Sequence, residues 1–167
     1  MHPYEKCMLC GRSCGVNRAD GAGGYCKKGS ELSLARAALH FWEEPPISGS
    51  RGSGAVFFSG CSLGCVFCQN ERISHGGLGE SVSPARLSEI FLSLQAQGAH
   101  NINLVTPTHY VPSIREALLM AKSQGLLVPI VYNTSAYDSR EALSMMDGVA
   151  DIYLPDFKYL RSDLAAR

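Results

Sequence analysis

The 167-residue sequence has no excess of either charge: 15 Lys and Arg stand against 15 Asp and Glu. A chain without a basic surplus carries no electrostatic footprint for nucleic acid or an anionic bilayer, so neither is expected as a partner. No apolar run approaches the roughly 18 residues that a membrane-spanning helix needs. The opening Met-His-Pro-Tyr-Glu-Lys lacks the apolar stretch of a secretory signal. These absences predict a soluble cytoplasmic protein. Cysteine is missing after Cys68, and that confines its chemistry to the first part of the chain.

What is present before that point is unusual. Seven cysteines are an odd number, and a cytoplasmic chain seldom pairs them as disulfides. They fall into two groups: Cys7, Cys10, Cys14 and Cys26, then Cys61, Cys65 and Cys68. Groups this tight read as metal ligation. Hydrophobic residues make up 46% of the chain, enough to bury one core, and the length suits one domain with a small appendage.

Three stretches differ in pattern. Residues 1–30 are rich in Cys, Gly and charge and have little apolar periodicity, as in a small metal-knit knuckle. Residues 31–54 read as a linker with a short helix over Leu32–Ala38, ended by Pro45 and Pro46. Residues 55–167 alternate short apolar runs with helical periodicity. Ala55–Phe58 reads as a buried parallel strand. Ser83 and Pro84 open a helix whose one face carries Leu87, Ile90, Phe91 and Leu94, ended by Gly98. Asn101–Val105 is a second strand. Pro112 opens a helix bearing Ile114, Ala117, Leu118 and Ala121. Leu127–Tyr132 is a third strand, Asp138 with Glu141 resembles a capping box, and Asp151–Leu154 is a fourth strand. Alternation with short connections predicts an α/β fold: a partial (β/α) barrel of parallel strands with about four βα units, preceded by the Cys-rich knuckle. Four units do not close a barrel, and the sequence stops soon after the fourth strand, so a shortened barrel is expected.

The Cys61-x3-Cys65-x2-Cys68 loop follows the first parallel strand directly, at the end where α/β folds place ligand sites. Three thiolates on a 4Fe–4S cube leave one iron free to chelate the amino and carboxylate groups of a small molecule. The competing reading is zinc. A structural zinc site requires four closed ligands, and His75 is the nearest fourth candidate. The four earlier cysteines can close a zinc site or hold an auxiliary cluster, and both readings stay open. The Gly76–Gly79 run has no Lys-Ser/Thr after it and reads as a turn.

The stretch Gly60-Cys-Ser-Leu-Gly-Cys-Val-Phe-Cys-Gln-Asn70 resembles the signature loop of radical S-adenosylmethionine enzymes, Phe67 being the aromatic before its third cysteine. More closely, the chain resembles the pyruvate formate-lyase activating enzyme-like proteins. The matching stretches are Cys7-Met-Leu-Cys10 with Cys14-Gly-Val-Asn-Arg18, His40–Pro45, Gly98–Asn103, Val105–Tyr110, Pro129–Thr134 and Asp151–Tyr159. The resemblance implies a partial (β/α)6 barrel, a 4Fe–4S cluster on Cys61, Cys65 and Cys68, and bound S-adenosylmethionine. It implies reductive cleavage of that cofactor to a 5′-deoxyadenosyl radical, which abstracts a hydrogen atom. The implied partners are a reductant such as flavodoxin or ferredoxin and a glycyl radical enzyme whose backbone glycine is the substrate.

By the same resemblance, Asp156 and Lys158 match an Asp-Leu-Lys pattern whose lysine approaches the cofactor carboxylate. Thr106 and Pro107 stand where activating enzymes carry Gly-Gly-Glu for the methionine amine. Asn133 and Thr134 begin the segment that replaces Asp-Thr-Asn-Gly. Members of the family usually run on past residue 167, so strands five and six are expected to be missing. Thr108 is expected to cap the following helix, with His109 packed beside it. His40, Glu43 and Glu44 read as a solvated turn. Two rival functions follow from the same residues: a non-catalytic truncated remnant, or a zinc-binding interaction module.

Overall fold

The computed structural model describes residues 2–165; residue 1 and the last two positions of the 55–167 unit lie outside the described residues. Short apolar strands and amphipathic helices alternate through most of the chain. The strands are β1 (Leu32–His40), β2 (Ser53–Phe58), β3 (Glu80–Val82), β4 (Ile102–Val105), β5 (Ile130–Thr134) and β6 (Ile152–Pro155). The helices are α1 (Pro45–Ser48), α2 (Glu71–Ser74), α3 (Pro84–Ala96), α4 (Val111–Ser123), α5 (Arg140–Met146) and α6 (Ser162–Ala165). The sheet order is β3-β1-β2-β4-β5-β6. Strands β2, β4, β5 and β6 run parallel, while β1 lies antiparallel to both β2 and β3. The four parallel strands are the four expected βα units. Among the described residues no helix is long and apolar enough to cross a membrane.

The core lies between one face of the sheet and the helices. Val56, Phe58, Ile102, Leu104, Ile130 and Tyr132 pack with Leu87, Phe91, Leu94, Ile114, Ala117, Leu118 and Ala121. Burial of each large apolar side chain contributes about 1.5–3 kcal/mol. Strand alternation sends Ala55, Phe57, Asn103, Val105, Val131 and Asn133 to the opposite face of the sheet. Ser83 caps α3, its Oγ accepting from Arg86 N at 3.1 Å, as expected from Ser83-Pro84.

Three expectations are corrected. The helix read over Leu32–Ala38 is strand β1 (Leu32–His40), so that part of residues 31–54 lies in the sheet. Alanine-rich composition favours helix in isolation, but pairing of Ala37 with Val56 and Ala38 with Ala55 covers an edge of β2 that would otherwise lack partners. The third parallel strand begins at Ile130, not Leu127. Leu127 is 88% exposed, and its N–H, with that of Val128, donates to Gln95 Oε1 instead of a strand. Helix α5 is capped by Ser139, which accepts from Ala142 N, and not by Asp138.

Residues 2–30 dock onto the same body. Tyr4, Cys7 and Leu9 belong to the core cluster. Cys10 forms a bridge with Asp138, Gly11 N donates to Tyr137 O at 2.9 Å, and Ser139 N donates to Leu9 O at 3.0 Å. Arg18 is fully buried: Nε donates to Lys28 O at 2.9 Å, and the terminal nitrogens donate to Gly29 O at 2.6 Å and His109 O at 2.5 Å.

Candidate metal centre and cofactor face

The cysteine loop begins where β2 ends. Ser59 N donates to Ser33 O at 2.8 Å, and Gly60 then takes φ +91° and donates to Ile73 O at 3.0 Å. A Cβ at Gly60 would lie 2.7 Å from Lys28 Cγ and 2.9 Å from Cys26 O, so both conformation and space require glycine. Gly64 (φ +71°) is similarly confined: a Cβ would come within 2.7 Å of the Tyr25 hydroxyl. Between these pivots, and on to α2, the thiols of Cys61, Cys65 and Cys68 are free and half-buried. Leu63 N–H points at Cys61 Sγ at 3.4 Å, and the Ser74 hydroxyl at Cys68 Sγ at 3.3 Å. Donors aimed at sulfur stabilise thiolate and suit an iron–sulfur ligand set.

Among the described residues, no three His, Cys, Asp or Glu side chains converge on a point as ligands of one metal ion. Three thiols alone do not complete the closed tetrahedron of structural zinc, whereas a cube carries its thiolates on separate irons. His75 supplies no closed fourth position; its Nδ1 pairs with the Ser74 hydroxyl at 3.1 Å. Cys7, Cys10, Cys14 and Cys26 likewise do not close on one ion. They are nevertheless neighbours: burial first, and then the surrounding thiols, push Cys10 and Cys26 above the usual thiol range. Arg18 Nη1 lies 3.6 Å from Cys7 Sγ.

The remaining candidates lie at or near the C-terminal ends of β4, β5 and β6. Thr106 has φ +58°, a strained conformation for a β-branched residue, and its N–H donates to Asn133 O at 2.9 Å. Pro107 accepts from Tyr110 N at 2.8 Å. Asn133 is half-buried near the end of β5, on the sheet face opposite the core. Thr134 is different: its hydroxyl is bound to Asp138. Asp156 and Lys158 form an ion pair with each other, and Asp156 N donates to Thr134 O at 2.8 Å. Phe67 meets Tyr159 at 5.7 Å between ring centroids.

Two groups of residues differ from the sequence reading. Thr108 does not cap a helix; it donates to Asp138 Oδ1 at 2.6 Å, beside the Tyr132 hydroxyl on the same oxygen at 2.7 Å. Asp138 is thus a hub joining β5, its following loop and the start of α4. Burial foremost, and the Asp138 charge next, push the Tyr132 phenol far above its ordinary range. Glu43 is not in a solvated turn: its side chain is 16% exposed, with His40 Nε2 at 4.0 Å. Burial raises its carboxyl pKa, His40 opposes the rise, and Glu44 and Asp156 add to it. The raised Glu43 had one signal in sequence, the carboxylate pair before Pro45. His109 packs in the interior as expected, with Nε2–H donating to Ser59 O at 2.9 Å; burial lowers its pKa to about 3.

The profile of the family described as the Radical SAM superfamily matches residues 55–164. An uncharacterized protein of Methanocaldococcus jannaschii, MJ0674, is 29% identical over 173 residues, covering 98% of this chain and 48% of that protein. The chain therefore spans about half the length of that curated relative.

Proposed function

The chain belongs to the Radical SAM superfamily, and from that premise we propose that Cys61, Cys65 and Cys68 hold a 4Fe–4S cluster that binds and reductively cleaves S-adenosylmethionine. The superfamily implies that cluster and that cofactor. The observation that carries the assignment to these residues is the loop itself. It presents three half-buried free thiols at the C-terminal end of the first parallel strand, two of them met by hydrogen-bond donors. A 4Fe–4S cluster held by these thiolates would supply the single electron that S-adenosylmethionine needs for reductive cleavage.

The chain's own residues bind and orient. Leu63 N–H and the Ser74 hydroxyl steady the sulfurs. Lys158, preset by Asp156, offers its ammonium to the cofactor carboxylate from the end of β6. Thr106, with φ +58°, and Pro107 would offer backbone groups from the end of β4 to the cofactor's methionine end, with Asn133 at the end of the neighbouring strand β5. Thr134 contributes through its backbone, since its hydroxyl is committed to Asp138. Phe67 shields the loop against Tyr159. The four early cysteines would draw together on metal uptake as a second site, zinc or an auxiliary cluster. The finer activity is activation of a glycyl radical enzyme, with a reduced flavodoxin or ferredoxin as electron donor.

Anaerobic reconstitution with iron and sulfide, followed by dithionite and S-adenosylmethionine, tests the proposal. A brown protein that forms 5′-deoxyadenosine is expected. A folded sample that takes up zinc alone and yields no 5′-deoxyadenosine contradicts it.

A further inference from the structure

Arg12 lies in the early cysteine segment, yet its donors reach the other cysteine group. Nε donates to Ser62 O at 3.0 Å and Nη2 to Leu63 O at 3.1 Å, two consecutive carbonyls between Cys61 and Cys65. The guanidinium stacks 3.7 Å above the Tyr25 ring and lies 5.7 Å from the Tyr137 ring. Those rings fix its plane. Gly11 and Gly64 leave them room: a Cβ at Gly11 would stand 2.6 Å from the Tyr137 ring, and one at Gly64 would stand 2.7 Å from the Tyr25 hydroxyl. Among the described residues no carboxylate is within ion-pair distance of Arg12. Its charge is therefore directed at the loop.

We infer that Arg12 is a positioning residue: it holds the Cys61–Cys68 loop in its ligating shape and offsets the negative charge that the loop acquires when loaded. A planar fork suits two adjacent carbonyls, and a lysine at this position would keep the charge without the fork. A cation beside an iron–sulfur cluster favours the reduced state, because reduction adds negative charge. The segment carrying Cys7 to Cys26 thereby becomes a brace for the second cysteine group as well as a site of its own. The electrostatic half of this inference rests on the proposed cluster; the holding of the loop does not.

The test uses Arg12→Met, Arg12→Lys and, as a control, Arg86→Met, whose exposed pair with Glu89 lies on α3. In iron-free protein, backbone amide exchange at residues 63–68 is expected to be several-fold faster in Arg12→Met, intermediate in Arg12→Lys and unchanged in Arg86→Met, as loss of charged-donor hydrogen bonds at a part-exposed site requires. After reconstitution, Arg12→Met should show a lower midpoint potential and faster release of iron to a chelator, while Arg12→Lys keeps the potential near wild type. Exchange at the wild-type rate in Arg12→Met overturns the inference, and so does an unshifted potential. If Arg12→Met does not fold, Tyr25→Leu, which removes the ring beneath the guanidinium, should give the same faster exchange; a wild-type rate there overturns the inference. If the wild-type chain binds no iron, the proposed function fails, and the exchange measurement alone still decides the role of Arg12.

Discussion

The two cysteine groups are built differently, although residue counting alone would rank the early four as the stronger metal site. The early group is woven into the body: Cys7 is buried, its neighbour Leu9 is in the core, and the buried Arg18 ties the segment to Lys28, Gly29 and His109. The later group is displayed on a loop that runs from the Gly60 pivot through Gly64 to α2, with all three thiols half-buried. One arrangement suits holding the chain together, and the other suits meeting a ligand. A catalytic cluster needs an open position, and the displayed loop suits that better than a segment anchored through the buried Cys7 and Arg18.

The comparison breaks most sharply on cysteine replacement. Cys61→Ala, Cys65→Ala or Cys68→Ala should lower 5′-deoxyadenosine formation by more than about 100-fold, beyond the roughly 10–100-fold that outer partners are worth. Replacing Cys14, which is exposed, should leave that yield detectable while changing metal content and thermal stability. An equal collapse of activity in both groups would erase the distinction.

Arg18→Met removes the donors of three carbonyls and a buried cation. It should cost about 3–5 kcal/mol in denaturant unfolding, as expected when one partner of a buried charged network is deleted. Asp138→Ala removes the acceptor of Thr108, Tyr132 and Thr134 and should cost about 1–3 kcal/mol. A change below about 0.5 kcal/mol in either variant would deny that these residues brace the site.

The most gradual effect is pH dependence through His109. Its folded pKa of about 3 lies below the unfolded value, so the unfolded chain binds the proton first. The contribution is fully present above about pH 6.5 and is lost as pH falls from there toward 3, by up to about 1.4 kcal/mol per pH unit. His109→Gln should flatten that part of the stability profile. A slope unchanged by the substitution would assign the acid sensitivity to other groups.

Periodic features were readable from sequence alone. Ser83-Pro84 and the apolar face of α3 predict their own helix, because cap and packing face lie within one turn or two of each other. Strand β1 was hidden: its Ala-rich composition gives no local signal for a partner some 20 residues away, and pairing with β2 decides its conformation. Asp138 looks like a cap from its spacing to Glu141. Only the tertiary approach of Thr108 and Tyr132 turns it into a hub. At the site, the cysteine spacing and the Glu43-Glu44 pair are visible in the sequence, whereas Arg12 is not, since it acts on carbonyls some 50 residues away. Asp156 and Lys158, two residues apart just past β6, form an ion pair that their sequence pattern alone does not specify.

The central claim is one cube on Cys61, Cys65 and Cys68 with an iron open to the cofactor. It is tested most directly by low-temperature electron paramagnetic resonance of the dithionite-reduced, reconstituted protein, frozen with and without S-adenosylmethionine. The account predicts a reduced-cluster signal that changes on adding the cofactor and whose cofactor-sensitive component is missing in Cys65→Ala. A signal indifferent to S-adenosylmethionine, or one retained unchanged in Cys65→Ala, would contradict it.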